Sequence, residues 1–125
     1  DDNSINLAME IAGPSTPEIF KVFGHGNPMG IQYKDQVLNA DKVALLIRNS
    51  PQYVGGNQTV KLYSCNTGKF SDGFAQQLAN NLGVIVEAPN RKLFPTKTGT
   101  FEIADKIPWM NHQYLRGTWV QYKPK

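Results

Sequence analysis

Three short runs of β-forming residues alternate with two amphipathic segments in the first ninety residues, and this alternation restricts the fold more than any other feature. The runs are 19–23, 59–63 and 84–86, and each is followed within three residues by a glycine, an asparagine or a proline. The order strand, helix, strand, helix, strand implies parallel strands joined by right-handed crossovers. The sequence therefore predicts an α/β domain built on a mainly parallel sheet.

Two helices are predicted between these strands. The first covers residues 40–49, with Asn39 as its N-terminal cap and Asp41 in its first turn. The second begins near residue 71 or 72 and is closed by Gly83. The apolar faces consist of Val43, Leu46 and Ile47 in the first helix, and of Phe74, Ala75, Leu78, Ala79 and Leu82 in the second.

The pattern changes after Asn90, where the short β-forming runs 94–95, 100–103 and 118–122 are no longer separated by amphipathic helical segments. These runs favour short antiparallel strands at one edge. We therefore expect a small three-layer α/β/α fold with a mainly parallel sheet, and with short antiparallel strands in the C-terminal third. Hydrophobic residues make up 40% and charged residues 18% of the 125 residues, which suits one core, so residues 1–125 are expected to form a single domain.

The charge and the cysteine count exclude several classes of function. The net charge of +3 is mild, and the basic residues are dispersed apart from Arg91-Lys92 and the tail at residues 123–125. A nucleic-acid partner usually requires a denser basic stripe, so none is expected. No apolar run reaches about 18 residues, so we expect no membrane span. The single cysteine excludes an internal disulfide, and no His/Cys cluster has zinc-ligand spacing, so neither a metal nor a cofactor is expected.

The N-terminal residues carry no recognisable targeting signal. The chain begins Asp1-Asp2-Asn3-Ser4, without an initiator methionine and without a basic and then apolar stretch. Such a start is typical of a domain excised from, or processed out of, a longer protein. The localisation therefore cannot be read from this end.

A histidine and the only cysteine follow the first two predicted strands. Gly24-His25-Gly26 follows the first strand, and Ser64-Cys65-Asn66-Thr67-Gly68 follows the second. Because the carboxyl ends of parallel neighbours meet where α/β sheets bind ligands, we expect the two side chains within about 3–6 Å. Thiolate is the nucleophile of cysteine chemistry, and an imidazole can take its proton and later protonate a leaving amine. The pattern predicts a metal-free Cys-His dyad.

The backbone beside the pair offers donors for an oxyanion. Gly26 has no side chain to block an approaching carbonyl, so its N–H and that of Cys65 form the predicted oxyanion hole. Loss of one such donor typically raises the barrier by about 2.7–4 kcal/mol. The predicted pocket-lining residues are Gly24, Asn66, Thr67, Glu87 and Pro89. Asn66 and Thr67 are expected first as turn formers, whereas 87–89 are included because they follow the third strand.

Each of these features also has a purely structural interpretation. A lone cysteine at a strand end is more often a packed hydrophobe than a nucleophile. His112 lies in a polar stretch that fits a surface loop. Trp109 and Trp119 fit core or edge packing. Asp35 and Glu102 are carboxylates that could orient His25, but nothing in the pattern selects either of them.

The motifs together resemble known families. Strand-His-Gly and strand-Ser-Cys, separated by one helix, resemble the caspase and clostripain-like proteases, which include gingipain, separase and self-cleaving toxin proteases. The resemblance implies His25 as general acid or base, Cys65 as nucleophile, and the Gly26 and Cys65 amides as oxyanion hole. Those enzymes place two strands before the strand that ends in histidine, whereas only 24 residues precede His25. A trimmed caspase-like sheet is therefore expected.

A closer similarity is to bacterial Stv-type adhesin domains and to C-terminal modules of Rhs-like polymorphic secreted proteins. There Gly-His-Gly, Ser-Cys-Asn-Thr-Gly, Phe-Ala-Gln-Gln-Leu-Ala and Val-x-Ala-Pro recur in this order. This chain carries them at 24–26, 64–68, 74–79 and 86–89, and the similarity covers about residues 18–90.

The resemblances imply two alternative functions. The first is a cysteine peptidase-like or related acyl-transfer hydrolase, acting on a peptide or protein as a secreted bacterial effector or self-processing module. The second is a non-catalytic, adhesin-like or toxin-associated binding module that recognises a host or bacterial surface ligand. A polymorphic toxin would also have a cognate immunity protein as partner. In either case the resemblance implies secretion, or delivery as part of a larger bacterial protein.

Overall fold

A computed structural model of the chain describes residues 2–110 and 112–125 and has a mixed α/β fold. The helices are α1 (Asp2–Ala12), α2 (Ala40–Arg48) and α3 (Phe74–Leu82). The strands are β1 (Ile19–Phe23), β2 (Gly26–Asn27), β3 (Gly30–Tyr33), β4 (Gln36–Leu38), β5 (Thr59–Tyr63), β6 (Val86–Pro89), β7 (Leu93–Pro95), β8 (Phe101–Lys106), β9 (Tyr114–Arg116) and β10 (Trp119–Tyr122).

The main sheet has four strands in the order β1-β5-β6-β10. β1, β5 and β6 are parallel, as expected, and β10 adds to β6 in the antiparallel direction. Phe23 is paired with Tyr63, so β1 and β5 end side by side. Two further small antiparallel sheets are formed by β2-β3-β4 and β7-β8-β9.

Helices α2 and α3 both cover one face of the main sheet. The crossovers run in the same direction, from β1 to β5 to β6, and right-handed connections then place both helices on the same side. Their buried side chains pack on alternate residues of the strands, and the shared core includes Phe20, Val43, Ile47, Val60, Leu62, Leu78 and Val86.

The second face of the sheet is covered differently from expectation. Instead of a complete helical layer, α1 and the sheet β7-β8-β9 lie against it. Tyr63, Leu93 and Ile103 form the buried centre there, and Ala12 and Trp119 pack around them. The physical reason is that no further crossover helix remains after β6 to fill this side, so short strands cover it.

Local signals place α2 and the end of α3 as predicted, whereas α3 begins at Phe74 rather than near residue 71 or 72. The Asn39 side chain accepts a hydrogen bond from the Lys42 N–H (3.0 Å), which caps α2. Gly83 adopts a left-handed conformation (φ 71°) and ends α3. Leu46 is wrongly assigned to the buried face, since it is half exposed while Ala40 and Ala44 are buried. The centre of the buried stripe is displaced toward the alanines, which leaves Leu46 on its flank.

Several elements differ from the sequence prediction. The third parallel strand begins at Val86 rather than at residue 84, so 87–89 lie within it. Helix α1 and strands β2, β4 and β9 were not predicted. A turn joins β2 to β3, with the Met29 N–H donating to the Asn27 side chain (2.7 Å).

Tyr122 links the antiparallel edge strand to the loop that follows β5. Its hydroxyl donates to the Gly68 carbonyl (2.5 Å), and its side chain is buried. Burial raises the pKa of Tyr122 above its usual value of 10.0. Burial also raises the pKa of Tyr63, against the opposing effect of the neighbouring Lys61 ammonium.

We expect alkaline pH to destabilise the protein through these tyrosines. Because their pKa is raised in the folded protein, these tyrosines ionise first in the unfolded chain. Their contribution to the free energy of unfolding is therefore complete below pH 10.0 and is lost as the pH rises above it. Tyr122→Phe should cost about 1–2 kcal/mol at neutral pH, since the Gly68 carbonyl loses its donor. It should also reduce the alkaline slope. Urea unfolding across this pH range measures both, and exposed Tyr114→Phe is the control. Equal effects of the two substitutions would contradict the prediction.

Candidate functional site

The two motif-bearing loops lie side by side at the carboxyl edge of the main sheet. β1 leads into residues 24–26 and β5 into residues 64–68, and the Gly24 N–H donates to the Tyr63 carbonyl (3.4 Å) at the point where the strands end. Gly24, His25, Ser64 and Cys65 line one small cleft. The fold therefore places His25 and Cys65, which are 40 positions apart in sequence, at a common cleft.

Gly26 is the residue at which the two loops touch. A Cβ atom at this position would lie 2.7 Å from the Cys65 carbonyl oxygen, 2.8 Å from the Ser64 Cβ and 2.9 Å from the Thr67 Cγ2. These separations are shorter than non-bonded atoms tolerate, and the nearest atom belongs to the backbone. Glycine is therefore required sterically, for close approach of one loop to the other.

The segment after β5 is a tightly bonded turn. Asn66 adopts a left-handed conformation (φ 61°), and its N–H donates to the Arg91 carbonyl (3.0 Å). The Thr67 hydroxyl donates to the Ser64 carbonyl (3.0 Å), and both of these side chains are buried. Asn66 and Thr67 thus hold the turn, and neither lines the cleft.

The Cys65 thiol is half-buried and is held by strand β7. Its Sγ accepts a hydrogen bond from the Leu93 N–H (3.2 Å), and its S–H points to the Leu93 carbonyl (3.6 Å). In the described part of the chain, residues 2–110 and 112–125, no hydrogen bond joins Cys65 to the exposed His25 side chain. The sulfur is therefore held by the Leu93 backbone, whereas the exposed His25 imidazole has no hydrogen bond within the described residues that would fix its orientation.

The Gly26 and Cys65 backbone amides donate to no partner among the described residues, although Gly26 packs against the Cys65 carbonyl and does not itself line the cleft. The Gln32 N–H donates to the His25 carbonyl (2.8 Å), which makes His25 and Gln32 a hydrogen-bonded pair of the hairpin. Such pairs alternate with non-hydrogen-bonded ones, so the next pair, Gly26 with Ile31, leaves the Gly26 N–H unused by β3. No hydrogen bond among the described residues uses the Cys65 N–H either. Both amides of the predicted oxyanion hole are therefore unused: the Gly26 N–H by strand β3, and the Cys65 N–H by any described residue.

Helix α1 lies across the cleft. Ser4, Ile5 and Ala8 form its covering wall, and Leu93 and Pro95 of β7 close another side. The cleft is small, with a volume of about 40 Å³. Helix α1 forms one of its walls and so limits the room for a peptide. This wall was not predicted from the sequence, although Ile5, Ala8 and Ala12 recur at helical spacing and could have indicated it.

Glu87 and Pro89 lie in strand β6, away from the cleft lining. Glu87 forms an ion pair with Lys61 (3.2 Å), whose ammonium lies 4.3 Å from the centre of the Trp119 ring. Pro89 is fully buried. The reason is the register of β6, which begins two residues later than expected and so carries 87–89 into the sheet.

The remaining candidates are scattered over the fold. Asp35 lies in the exposed turn between β3 and β4, Glu102 is exposed on β8, and His112 is exposed. Trp119 packs against Tyr63 with ring centres 5.3 Å apart, as expected for edge packing. Trp109 is 82% exposed, so the expectation of core or edge packing is wrong for this residue. Within the described part of the chain, no group of three His, Cys, Asp or Glu side chains could hold a metal ion.

The fold and this cleft define a small mixed α/β domain whose parallel strands end in a His-Gly loop and a Ser-Cys loop. Residues 1–103 match the family model of Domain of unknown function DUF8616, and the chain belongs to this family. A segment of 60 residues, 47% of the chain, is 40% identical to YibJ, an uncharacterized protein of Escherichia coli (strain K12). The match spans 25% of the length of YibJ. No solved structure matches the chain. The described helices are all too short or too polar to cross a membrane.

Proposed function

We propose that this domain is a cysteine hydrolase of the peptidase type on a trimmed caspase-like scaffold. Cys65 is the nucleophile, His25 is the general acid and base, and the Gly26 and Cys65 amides bind the oxyanion. The observation that supports this proposal is the contact of the two loops, in which Gly26 packs directly against the Cys65 carbonyl. That contact brings the His-Gly and Ser-Cys segments to one cleft with both amides unused.

The proposed reaction has two half-reactions. The Cys65 thiolate attacks the substrate carbonyl carbon, a C–S bond forms, and the carbonyl electron pair moves to the oxygen held by the two amides. The intermediate collapses, the C–N bond breaks, and the His25 imidazolium protonates the departing amine. Water then attacks the thioester with His25 as base, the C–S bond breaks, and the proton returns to the sulfur. The products are an acid and an amine.

The substrate is a peptide or protein, and the domain acts as a secreted effector or a self-processing module of a larger bacterial protein. The cover of α1 over the cleft supports a module whose access is controlled by its own N-terminal segment. The match to a quarter of YibJ supports a module that recurs inside longer chains.

The second candidate function is a non-catalytic, adhesin-like or toxin-associated binding module. It is favoured by the two contacts of the Cys65 thiol with the Leu93 backbone and by the small volume of the covered cleft. Its partner would be a host or bacterial surface ligand, or a cognate immunity protein. The two functions differ in whether His25 activates the sulfur.

Alkylation of the single cysteine separates these candidates without a known substrate. We expect iodoacetamide at pH 6.5 to label Cys65 on the order of tenfold faster than glutathione, because an imidazolium neighbour favours the thiolate form. His25→Ala should reduce the rate to that of glutathione. His112→Ala is the matched control, since it removes the only other histidine of the sequence, which is exposed and does not line the cleft. Intact-mass spectrometry measures the rates.

The same experiment tests whether helix α1 limits the access of iodoacetamide to Cys65. Ile5→Ala shortens a side chain of α1 that lines the cleft, so the His25→Ala and His112→Ala comparisons are repeated in that background. Cys65→Ala gives the blank. If Cys65 in the opened protein labels no faster than glutathione and His25→Ala changes nothing, the hydrolase is excluded and the binding module remains.

A further inference from the structure

The charge of this protein is unevenly distributed along the chain. Residues 91–125 carry seven basic and two acidic side chains, whereas residues 1–90 carry six basic and eight acidic ones. The C-terminal part therefore has a net charge of +5, against −2 for the rest. Two of these basic residues, Lys106 and Arg116, lie in the strands of the sheet β7-β8-β9, which also contain both acidic residues, Glu102 and Asp105. A surplus of basic side chains in one part of a chain is typical of proteins that meet an anionic partner.

The outer face of the small sheet combines aromatic and basic side chains. Strand pairing places Phe94 opposite Glu102, Arg116 opposite Ala104, and Tyr114 opposite Lys106, all on the same face. Phe94 is 43% and Tyr114 is 52% exposed. Of the two acidic residues, Asp105 points to the other face and is neutralised by Arg91 (3.0 Å). Lys106 and Arg116 form no ion pair with any described residue.

The turn between β8 and β9 follows Lys106 and precedes Tyr114, so it lies at the end of this face, and it carries exposed apolar side chains. Trp109 is 82% exposed, and its neighbour Met110 is 43% exposed. The turn is shaped by backbone bonds, from the Met110 N–H to the Ile107 carbonyl (3.1 Å) and from the Ile107 N–H to the Gln113 carbonyl (3.0 Å). The most exposed large hydrophobic side chain of the described residues thus lies on a hydrogen-bonded turn.

We propose that this face, formed by Phe94, Lys106, Trp109, Met110, Tyr114 and Arg116, binds the surface of an anionic phospholipid bilayer. Tryptophan and tyrosine favour the boundary between headgroups and acyl chains, so Trp109 and Met110 insert at that depth. Lys106 and Arg116 pair with headgroup phosphates, which gives the complex its charge complementarity. The face binds from outside and requires no span of the membrane.

The same chemistry distinguishes this partner from a nucleic acid. Base stacking uses aromatic rings on a continuously basic face. Here Glu102 lies on the same face as the Phe94 and Tyr114 rings, and the most exposed apolar side chain of the set is the indole of Trp109, in a turn that also carries the thioether of Met110. These features fit insertion into lipid better than stacking on bases. The face is also separate from the cleft, since Leu93 lines the cleft whereas Phe94 points to the opposite side of β7.

Sedimentation with vesicles tests the proposal on the whole chain. We expect the protein to co-sediment with phosphatidylcholine vesicles that contain about one third phosphatidylserine, and much less with pure phosphatidylcholine. Trp109→Ala with Arg116→Gln should weaken binding at least about tenfold. The matched control is Leu45→Ala with Lys42→Gln. This pair removes one exposed apolar side chain and one positive charge from the surface of α2, where Leu45 is 60% exposed.

Tryptophan emission provides the second readout. Anionic vesicles should shift the emission of the wild-type protein to shorter wavelength, and Trp109→Phe should abolish the shift while Trp119 remains. Failure to bind anionic vesicles, equal binding to neutral ones, or equal loss in the α2 control would overturn the proposal. Binding of a single-stranded oligonucleotide without binding of vesicles would identify a nucleic-acid surface instead. None of these outcomes depends on Cys65 or His25.

Discussion

Leu78→Ala should lower the free energy of unfolding by about 2–5 kcal/mol, the largest effect that we expect from a single substitution in this domain. Leu78 is fully buried at the centre of α3, in the core that α2 and α3 share with the main sheet. Truncation removes apolar surface from that core and leaves a cavity between two helices and the sheet. The upper part of the range applies if the cavity cannot collapse.

Gln77→Ala is the matched control in the same helix. Gln77 is exposed, and its side chain donates only to the Asp72 carbonyl at the surface (3.2 Å), so its loss should cost under about 0.5 kcal/mol. Urea unfolding followed by circular dichroism measures both variants. Similar costs for the two would show that α3 presents another face to the sheet.

Gly26→Ala should cost about 1–3 kcal/mol, because the new methyl group overlaps backbone. Its Cβ would meet the Cys65 carbonyl oxygen at 2.7 Å. That carbonyl has little freedom to retreat, since the Asn66 N–H is bonded to Arg91 and the Thr67 hydroxyl to the Ser64 carbonyl. The His-Gly loop must therefore separate from the Ser-Cys loop, which would also change the labelling rate of Cys65.

Gly24→Ala separates this contact from a general effect of alanine in the loop. A Cβ at Gly24 would meet the Cγ2 methyl of the buried Ile31 side chain at 3.0 Å and the Gln32 carbonyl oxygen at 3.9 Å. The closest atom is a side-chain methyl and not backbone, and the contact is longer than at Gly26, so we expect a cost under about 1 kcal/mol. Chemical denaturation and iodoacetamide labelling are measured for both variants. If Gly24→Ala is as costly as Gly26→Ala, the close approach of the loops is not what requires glycine.

Elements with strong local signals could be predicted well. The runs Ile19–Phe23 and Thr59–Tyr63 are strands with the expected bounds, since both combine β-branched or aromatic residues with breakers at their ends. Asn39 and Gly83 mark helix ends because a cap acts through its own neighbours in sequence. Strands β4 and β9, with three residues each, carry too little local pattern and exist through pairing with their partners.

The sequence by itself determined that His25 and Cys65 follow neighbouring parallel strands, and this brings their loops to one edge of the sheet. Tertiary structure decided what surrounds the sulfur. The Leu93 N–H that bonds it lies 28 positions away, and α1 reaches the cleft from the opposite end of the chain. The strand order follows from local periodicity and from the handedness of crossovers, which are encoded within each segment. The environment of Cys65 depends on packing between segments that are distant in sequence. Local sequence patterns do not predict which of these segments come into contact.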